Sequence, residues 1–548
     1  MFSVAVLPAI AQIQYGGKPD FGALNAKVVP EIVIPSPDLE ELLLEDSINE
    51  AEKVPPRFGV WIPAEIDPLE QGRWVDDENG TSIWMVRLKA EGALAISPAF
   101  RNFYMMPGDS LFIVWGEKNR FIGAYTSGNN TSSGLFGTEL IPSDDIILQL
   151  KRQKSSNAAP PFQVSELLYA YRMVPEALRA PGSSDWCEVN INCSPEGDDW
   201  QNQKRGVARI QVKVGGSAYW CTGSLVNNVR QDKTPYLLTA DHCAYQLGHY
   251  ASDDDLALWT FYFNYEALQC EGTLPAPGHH TMVGAEKIAQ GGNRGSTGSD
   301  FYLVRLLFSF PEGYPVYYNG WDAQGVSSGH GVTIHHPDGD IKKVSTYIEP
   351  LVTTSWQGSG LPSHWEVTWS ETENGWGVTE GGSSGSPVFN EQGLITGTLT
   401  GGLAACDNFG STGPDKPDYY GKFSWHWDQN GTADTAQLKP WLDPDNTGIK
   451  QLSGLVAGTK NHFSSNSGSL QLFPCPASDE SIFIHHNFVP GKSLKMEVYS
   501  FSVVKMYDYI FPRAKKTVSV SVSGWSSGIY FILLHQAGKT EAGKIIIK

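Results

Sequence analysis

The sequence predicts a mainly β chain made of several domains. Short apolar runs bounded by Gly, Asn and Pro recur along its length, and 57 glycines and 17 tryptophans stand among few long periodic apolar stretches. Its 548 residues exceed what one hydrophobic core encloses. A formal net charge of −19, from 59 acidic and 40 basic residues, argues against nucleic acid or an anionic membrane surface as the main partner. No apolar run reaches the ~18 residues that a membrane-spanning helix needs.

The elements follow in order. "MFSVAVLPAIAQIQYGG" places Ala9-Ile10-Ala11 after a short apolar run, which reads as a signal peptide over 1–11 cut before Gln12. Its start reads as clipped, because the first basic residue is Lys18; an apolar N-terminal strand is the alternative. Residues 12–181 lack cysteine, and acidic loops ("PSPDLEELLLEDSINEAEK", "WVDDENG") alternate with strand-like runs ("SIWMVRLKAEGALAI", "DSLFIVWG"), as in a small β domain. "KRQKSSNAAPPF" (151–162) and "RAPGSSDW" (179–186) read as linkers.

Residues 182–455 hold Cys187, Cys193, Cys221, Cys243, Cys270 and Cys406, while Cys475 stands alone. An even set without a C-x-x-C pair fits a disulfide framework better than zinc or redox chemistry, and spacing leaves the pairing open. "GVARIQVKV", "PYLLTADHC", "LALWTFYFNY", "DFYLVRLLF" and "GLITGTLTGG" read as strands of an antiparallel barrel or sandwich. "LKPWLDPDNTG" (438–448) reads as the one helix closing this domain. A Gly/Ser/Asn linker (456–470) precedes an alternating tail (471–548), a small β-sandwich candidate.

The chemistry starts at "EGGSSGSPVFNEQG" (380–393). A serine hydroxyl is a poor nucleophile unless a base takes its proton and N–H groups await the oxyanion. Ser384 aligns as that nucleophile, with the N–H groups of Gly382 and Ser384 as the oxyanion hole. His242, after the apolar "PYLLTA", supplies the base, and Asp300, ahead of "FYLVRL", the orienting carboxylate. The order His242…Asp300…Ser384 is that of the chymotrypsin class.

Over residues 182–455 the chain resembles the lysyl endopeptidase family of secreted bacterial serine proteases. "CEVNINCSPEGD", "CTGSLVNN", "TADHC", "SDFYLVRL", "IHHPDGDIKK", "GVTEGGSSGSPVF" and "WLDPDNTG" carry the resemblance. It implies a chymotrypsin-like double β-barrel, hydrolysis after lysine, and the disulfides Cys187–Cys406, Cys193–Cys270 and Cys221–Cys243. It places the specificity carboxylate on Asp418, a pocket threonine on Thr379 and an active-site tryptophan on Trp356. A family histidine near the catalytic imidazole falls on Thr400, a departure. Residues 12–181 would then be an N-terminal propeptide. The tail, "LFPCPASD…SGIYFI…GKIIIK", resembles the C-terminal sorting domain of type IX secretion, with Cys475 where asparagine is usual.

The expected partners are protein and peptide substrates and the secretion machinery, with the protein a monomer, secreted or at the cell surface. No cofactor is expected. No metal is expected either, since the His-His pairs at 279–280, 335–336 and 485–486 lack partners at ligand spacing and adjacent strand residues face opposite ways. Arginine or mixed basic specificity is the alternative, and a catalytically silent adhesin of the same fold a further one.

Overall fold

The computed structural model describes residues 14–456 and 470–547, apart from 27–28, 52–55, 78–79, 154–158, 175–182, 247, 274–278, 312–313, 474–480, 487, 501–504, 523–524, 526–527 and 538. The expected signal peptide, half of the 179–186 linker and most of the 456–470 linker lie outside the described residues. The chain divides into compact units Met1–Gly458 and Thr459–Lys548.

The N-terminal region of the first unit is built on a sheet ordered Glu31–Val33, Thr81–Lys89, Asp145–Gln153, Ser110–Trp115, Arg120–Tyr125. Trp84, Val86 and Leu88, with Ile146, Leu148 and Leu150, alternate along two of its strands and bury one face. Two readings need correction. The acidic segment taken as a loop contains the helix Leu39–Ala51. Asp38 Oδ1 accepts the Glu41 N–H at 3.1 Å, and Glu40 and Glu41 sit in the first turn, where the helix dipole favours acids. Residues 151–153, taken as linker, end the strand Asp145–Gln153; Arg152 is buried there against Asp109 at 3.0 Å.

The first barrel closes through one bent segment. His280–Val283 pairs with Thr260–Phe263 at one end of the strand path, and Ala285–Gly291 pairs with Phe301–Leu306 at the other. Val207–Val214, Ser217–Leu225 and Tyr236–Thr239 complete the circuit. The corner is Gly284, at φ +84, where a Cβ would meet Leu307 Cδ1 at 2.6 Å. Ile210, Val212, Leu237, Phe261 and Val304 fill the interior.

A second curved sheet runs Lys343–Tyr347, Gly331–His335, Pro387–Phe389, Ile395–Gly402, Asp418–Lys422, His364–Val367. The expected closing helix is only the turn Lys439–Leu442, and a separate helix spans Phe423–Asp428. Pro440 at the start and the Asp443-Pro444 pair just beyond leave room for a single turn.

The N-terminal region does not stand apart from the barrel. Arg57–Ile66 adds to the edge of Ser217–Leu225 in the register Ser217↔Val60, Ala218↔Gly59, Tyr219↔Arg57, and Gln163–Ala170 and Ala95–Arg101 continue the same sheet. Phe58, fully buried, stacks on Trp220 with ring centroids 4.0 Å apart. Burying such a ring contributes about 1.5–3 kcal/mol. Just ahead of this strand, the Pro56 ring lies against Gly381, where a Cβ would meet Pro56 Cγ at 2.5 Å.

Disulfides join Cys187 to Cys406, Cys193 to Cys270 and Cys221 to Cys243. Non-reducing peptide mapping is expected to return these three bridges. Replacing Cys193 and Cys270 by serine is expected to lower stability by about 2–5 kcal/mol, read from denaturant unfolding. A bridge to Cys475 in the peptide map would overturn the assignment.

The second unit has two sheets, Leu470–Phe473 with Ser481–His486 and Thr517–Ser521, and Lys505–Phe511 with Leu494–Ser500, Gly528–Gln536 and Lys539–Ile547. Ile484, Val518, Met496, Val498 and Ile532 pack into a shared core, as in a β-sandwich.

Candidate active site

Register brings His242 and Asp300 together. Thr239, at the end of its strand, pairs with Tyr302, so the turn after Thr239 meets the residues before Tyr302. His242 sits in the 3-10 turn Asp241–Ala244. Asp300 is fully buried and held at φ +59, a left-handed conformation that aspartate tolerates better than most residues. Its Oδ1 accepts the His242 N–H at 3.0 Å, and its Oδ2 lies 2.8 Å from His242 Nδ1. A carboxylate only accepts, so Nδ1 carries the proton and Nε2 keeps its lone pair. Burial opposes charge on both groups. Their mutual attraction and hydrogen bonds outweigh it, holding the Asp300 carboxyl below its ordinary range and raising the His242 imidazole.

The Gly/Ser loop crosses from the second sheet to the first barrel. Thr222, on the strand Ser217–Leu225, donates its N–H to the Ser384 carbonyl at 2.8 Å and its hydroxyl to the Gly382 carbonyl at 2.9 Å. The Ser384 carbonyl oxygen lies 3.6 Å from Cys243 Sγ, beside His242. Gly385, at φ +80, is wedged so closely that a Cβ would meet Thr222 O at 2.6 Å. Among the described residues no hydrogen bond joins Ser384 Oγ to His242 Nε2. Such contacts commonly tighten only when substrate arrives.

The serines of the loop differ in environment. Ser383 is buried, 2.8 Å from His335 Nδ1, and accepts the Glu380 N–H at 3.2 Å. Ser386 is buried against Thr333 at 3.2 Å. Ser384 is only half-buried, and its hydroxyl has no partner among the described residues. The N–H groups of Ser383, Gly385 and Ser386 are spent on carbonyls, whereas those of Gly382 and Ser384 have no acceptor among the described residues. Unspent N–H groups flanking a free hydroxyl are what an oxyanion requires.

Asp418 opens the strand Asp418–Lys422 and is 1% exposed. Its Oδ2 accepts Trp369 Nε1–H and the Thr379 hydroxyl, each at 2.7 Å, and its Oδ1 accepts the Ala404 N–H at 3.2 Å. Burial pushes its carboxyl up to about 6 despite these donors. Trp356 is half-buried and packs on Gly295 and Gly401. Thr400 Oγ1 lies 3.1 Å from His364 Nε2, and the His364 ring stacks on Trp356 with centroids 5.9 Å apart. An imidazole absent at position 400 thus stands beside it from a strand two places along the sheet, across Asp418–Lys422. Thr222, Trp369 and His364 had no local sequence signal, because each acts only across strands distant in sequence.

One acidic and cysteine cluster occurs among the described residues, Asp185, Glu380 and Cys406. Cys406 is bonded to Cys187 and offers no thiolate.

Residues 181–421 match the family model for the lysyl endopeptidase C-terminal domain, and residues 471–548 that for the secretion system C-terminal sorting domain. A lysyl endopeptidase of Pseudomonas aeruginosa is 28% identical over 383 residues, 67% of this chain and 78% of the relative. Among solved structures, the protease Anisep from Arthrobacter nicotinovorans aligns with 16% identity and a TM-score of 0.27, over 41% of this chain and 91% of its own. A Glu endopeptidase solved with MPD aligns with 17% identity and a TM-score of 0.26, over 42% of this chain and 87% of its own.

Proposed function

From a chain that carries a lysyl endopeptidase domain and a secretion sorting domain, and is therefore a serine endopeptidase sent to the cell surface or beyond, we propose hydrolysis of peptide bonds after lysine by His242, Asp300 and Ser384. Ser384 Oγ attacks the scissile carbonyl carbon while His242 Nε2 takes its proton. Asp300 holds the ring by Nδ1–H and stabilises the imidazolium. The N–H groups of Gly382 and Ser384 receive the oxyanion. His242 then protonates the leaving amine, and a water activated by the same ring hydrolyses the acyl-enzyme.

The observation that carries lysine as the substrate residue is the buried Asp418 with Thr379 and Trp369. A desolvated carboxylate without a cation is costly, and a basic side chain relieves that cost. Lysine brings a compact ammonium with three donors, whereas arginine needs a wider slot for its planar fork. Residues 12–181 are read as the propeptide, removed by cleavage between about residue 155 and Ser183. No lysine lies between Lys154 and Cys187, so self-cleavage by a lysine-specific enzyme uses Lys154, and cutting at Arg179 needs another protease.

A fluorogenic panel of Lys-, Arg- and neutral-ended peptides, with and without a serine-directed covalent inhibitor, tests this. Lysine is expected well ahead, with all activity inhibitor-sensitive. Equal rates for arginine would favour mixed specificity, and no turnover a silent protein. The pH dependence has a definite sign. Below about 6 the free Asp418 carboxyl gains a proton and loses its charge. Lysine cleavage is therefore expected to fall, on acidification, faster than reaction of Ser384 with an uncharged inhibitor.

A further inference from the structure

We infer that Asp241 is a positioning residue for His242, tying the turn that carries the imidazole to the loop that leads into Asp300 and setting a second buried carboxylate beside the ring. The inference rests on the triad reading above and goes beyond it.

Asp241 directly precedes His242 in the 3-10 turn, and its side chain is fully buried. Its Oδ2 accepts the Tyr250 hydroxyl at 2.9 Å and the Arg294 N–H at 3.0 Å; its Oδ1 has no hydrogen-bond partner among the described residues. Tyr250 belongs to the hairpin of Tyr245–Gln246 with His249–Tyr250. Arg294 lies in the loop that descends to Asp300, and its guanidinium sits 4.0 Å over the Tyr245 ring. One carboxylate therefore joins three segments around the histidine: the turn, the hairpin and the loop. A buried carboxylate with one oxygen unspent is an expensive way to brace a turn, since an asparagine would accept the same bonds without the charge. The charge is what asparagine would lack.

The groups facing Asp241 are His242, Asp300, Tyr250, Tyr302 and Arg294, and the field of His364 also acts on Asp300. Burial, and then the Asp300 charge, push the Asp241 carboxyl up to about 7, while the Tyr250 and Arg294 bonds and His242 oppose this. Asp241 thus exchanges its proton near neutral pH, beside an imidazole whose own proton affinity its charge raises. Ionised, it favours the imidazolium that forms as Ser384 is deprotonated. Protonated, it withdraws that support. The fall in rate on acidification therefore involves two coupled protons.

The test is the inactivation rate by an uncharged sulfonyl fluoride across neutral pH, which reads Ser384 and His242 without needing Asp418. Wild type is expected to fall on the acid side more steeply than one proton allows. In Asp241→Asn the slope is expected to drop to one proton and the midpoint to move about half to one pH unit lower. Its plateau rate is expected to fall about three- to tenfold, with KM for lysyl peptides unchanged. Tyr250→Phe, at a partly exposed position, removes one donor to Asp241 and should move the midpoint the other way. Profiles of both variants superimposable on wild type would overturn the inference and leave the triad intact, as would a uniform loss of rate with the midpoint unmoved. A wild-type protein whose Ser384 does not react at all overturns the triad reading and this inference with it.

Discussion

Replacing Ser384 by alanine is expected to remove nearly all amidase activity, about 10⁵–10⁶-fold in kcat, without loss of stability. The Ser384 hydroxyl has no partner among the described residues, and the contacts that hold the loop run through its carbonyl to Thr222. Alanine keeps that carbonyl and strands no buried donor. Ser383→Ala should behave in the opposite way. It takes away the partner of His335 Nδ1 and the acceptor of the Glu380 N–H, both inside the fold. Leaving such groups unsatisfied costs about 1–3 kcal/mol. The thermal midpoint should therefore drop while turnover stays within about tenfold of wild type. Turnover on a lysyl peptide and a melting curve, measured on both variants, decide it. An active Ser384→Ala protein ends the assignment.

The second large effect is expected at Asp418. Asp418→Asn should lower kcat/KM for lysyl substrates by about 10³–10⁴-fold, because the pocket then offers a dipole where a charge stood. Trp369 and Thr379 both donate to the same carboxylate oxygen, and Ala404 to the other. An asparagine must turn its amide nitrogen toward one of these donors, so geometry suffers along with charge. Reaction of Ser384 with an uncharged inhibitor should remain within about threefold of wild type, since that chemistry does not use the pocket. If the variant still cleaves after lysine at near wild-type efficiency, Asp418 merely caps its strand and the specificity determinant lies elsewhere.

What could be read from the sequence was local. His242 stands in a five-residue motif, Ser384 in a glycine-flanked loop and Asp300 at the head of an apolar run, so each is visible without its neighbours. The β character was equally visible, because period-two alternation is a property of single strands. The helix Leu39–Ala51 was hidden by its acids, which mimic a loop until Asp38 is seen to cap it. Arg152 reads as linker in the sequence because a buried ion pair with Asp109 has no signature on either side. Asp241 carries no signal of its own in "TADHC", since its meaning lies in Tyr250 and Arg294, brought to it only by folding.

The strand Arg57–Ile66 is hydrogen-bonded into the same sheet as the barrel, with Gln163–Ala170 on its far side. Cutting the backbone and parting the pieces are consequently separate events. A cut after Lys154 leaves Gln163–Ala170 attached to the protease, still laced between Arg57–Ile66 and Ala95–Arg101, which belong to the other fragment. Even a cut nearer Ser183 leaves Phe58 clamped on Trp220 and Pro56 resting on Gly381, the residue before Gly382. Under the processing proposed above, a nicked molecule is then a two-chain complex held together by this shared sheet. Onset of activity is therefore expected to lag behind the first bond broken, by the time the fragment takes to dissociate or be digested.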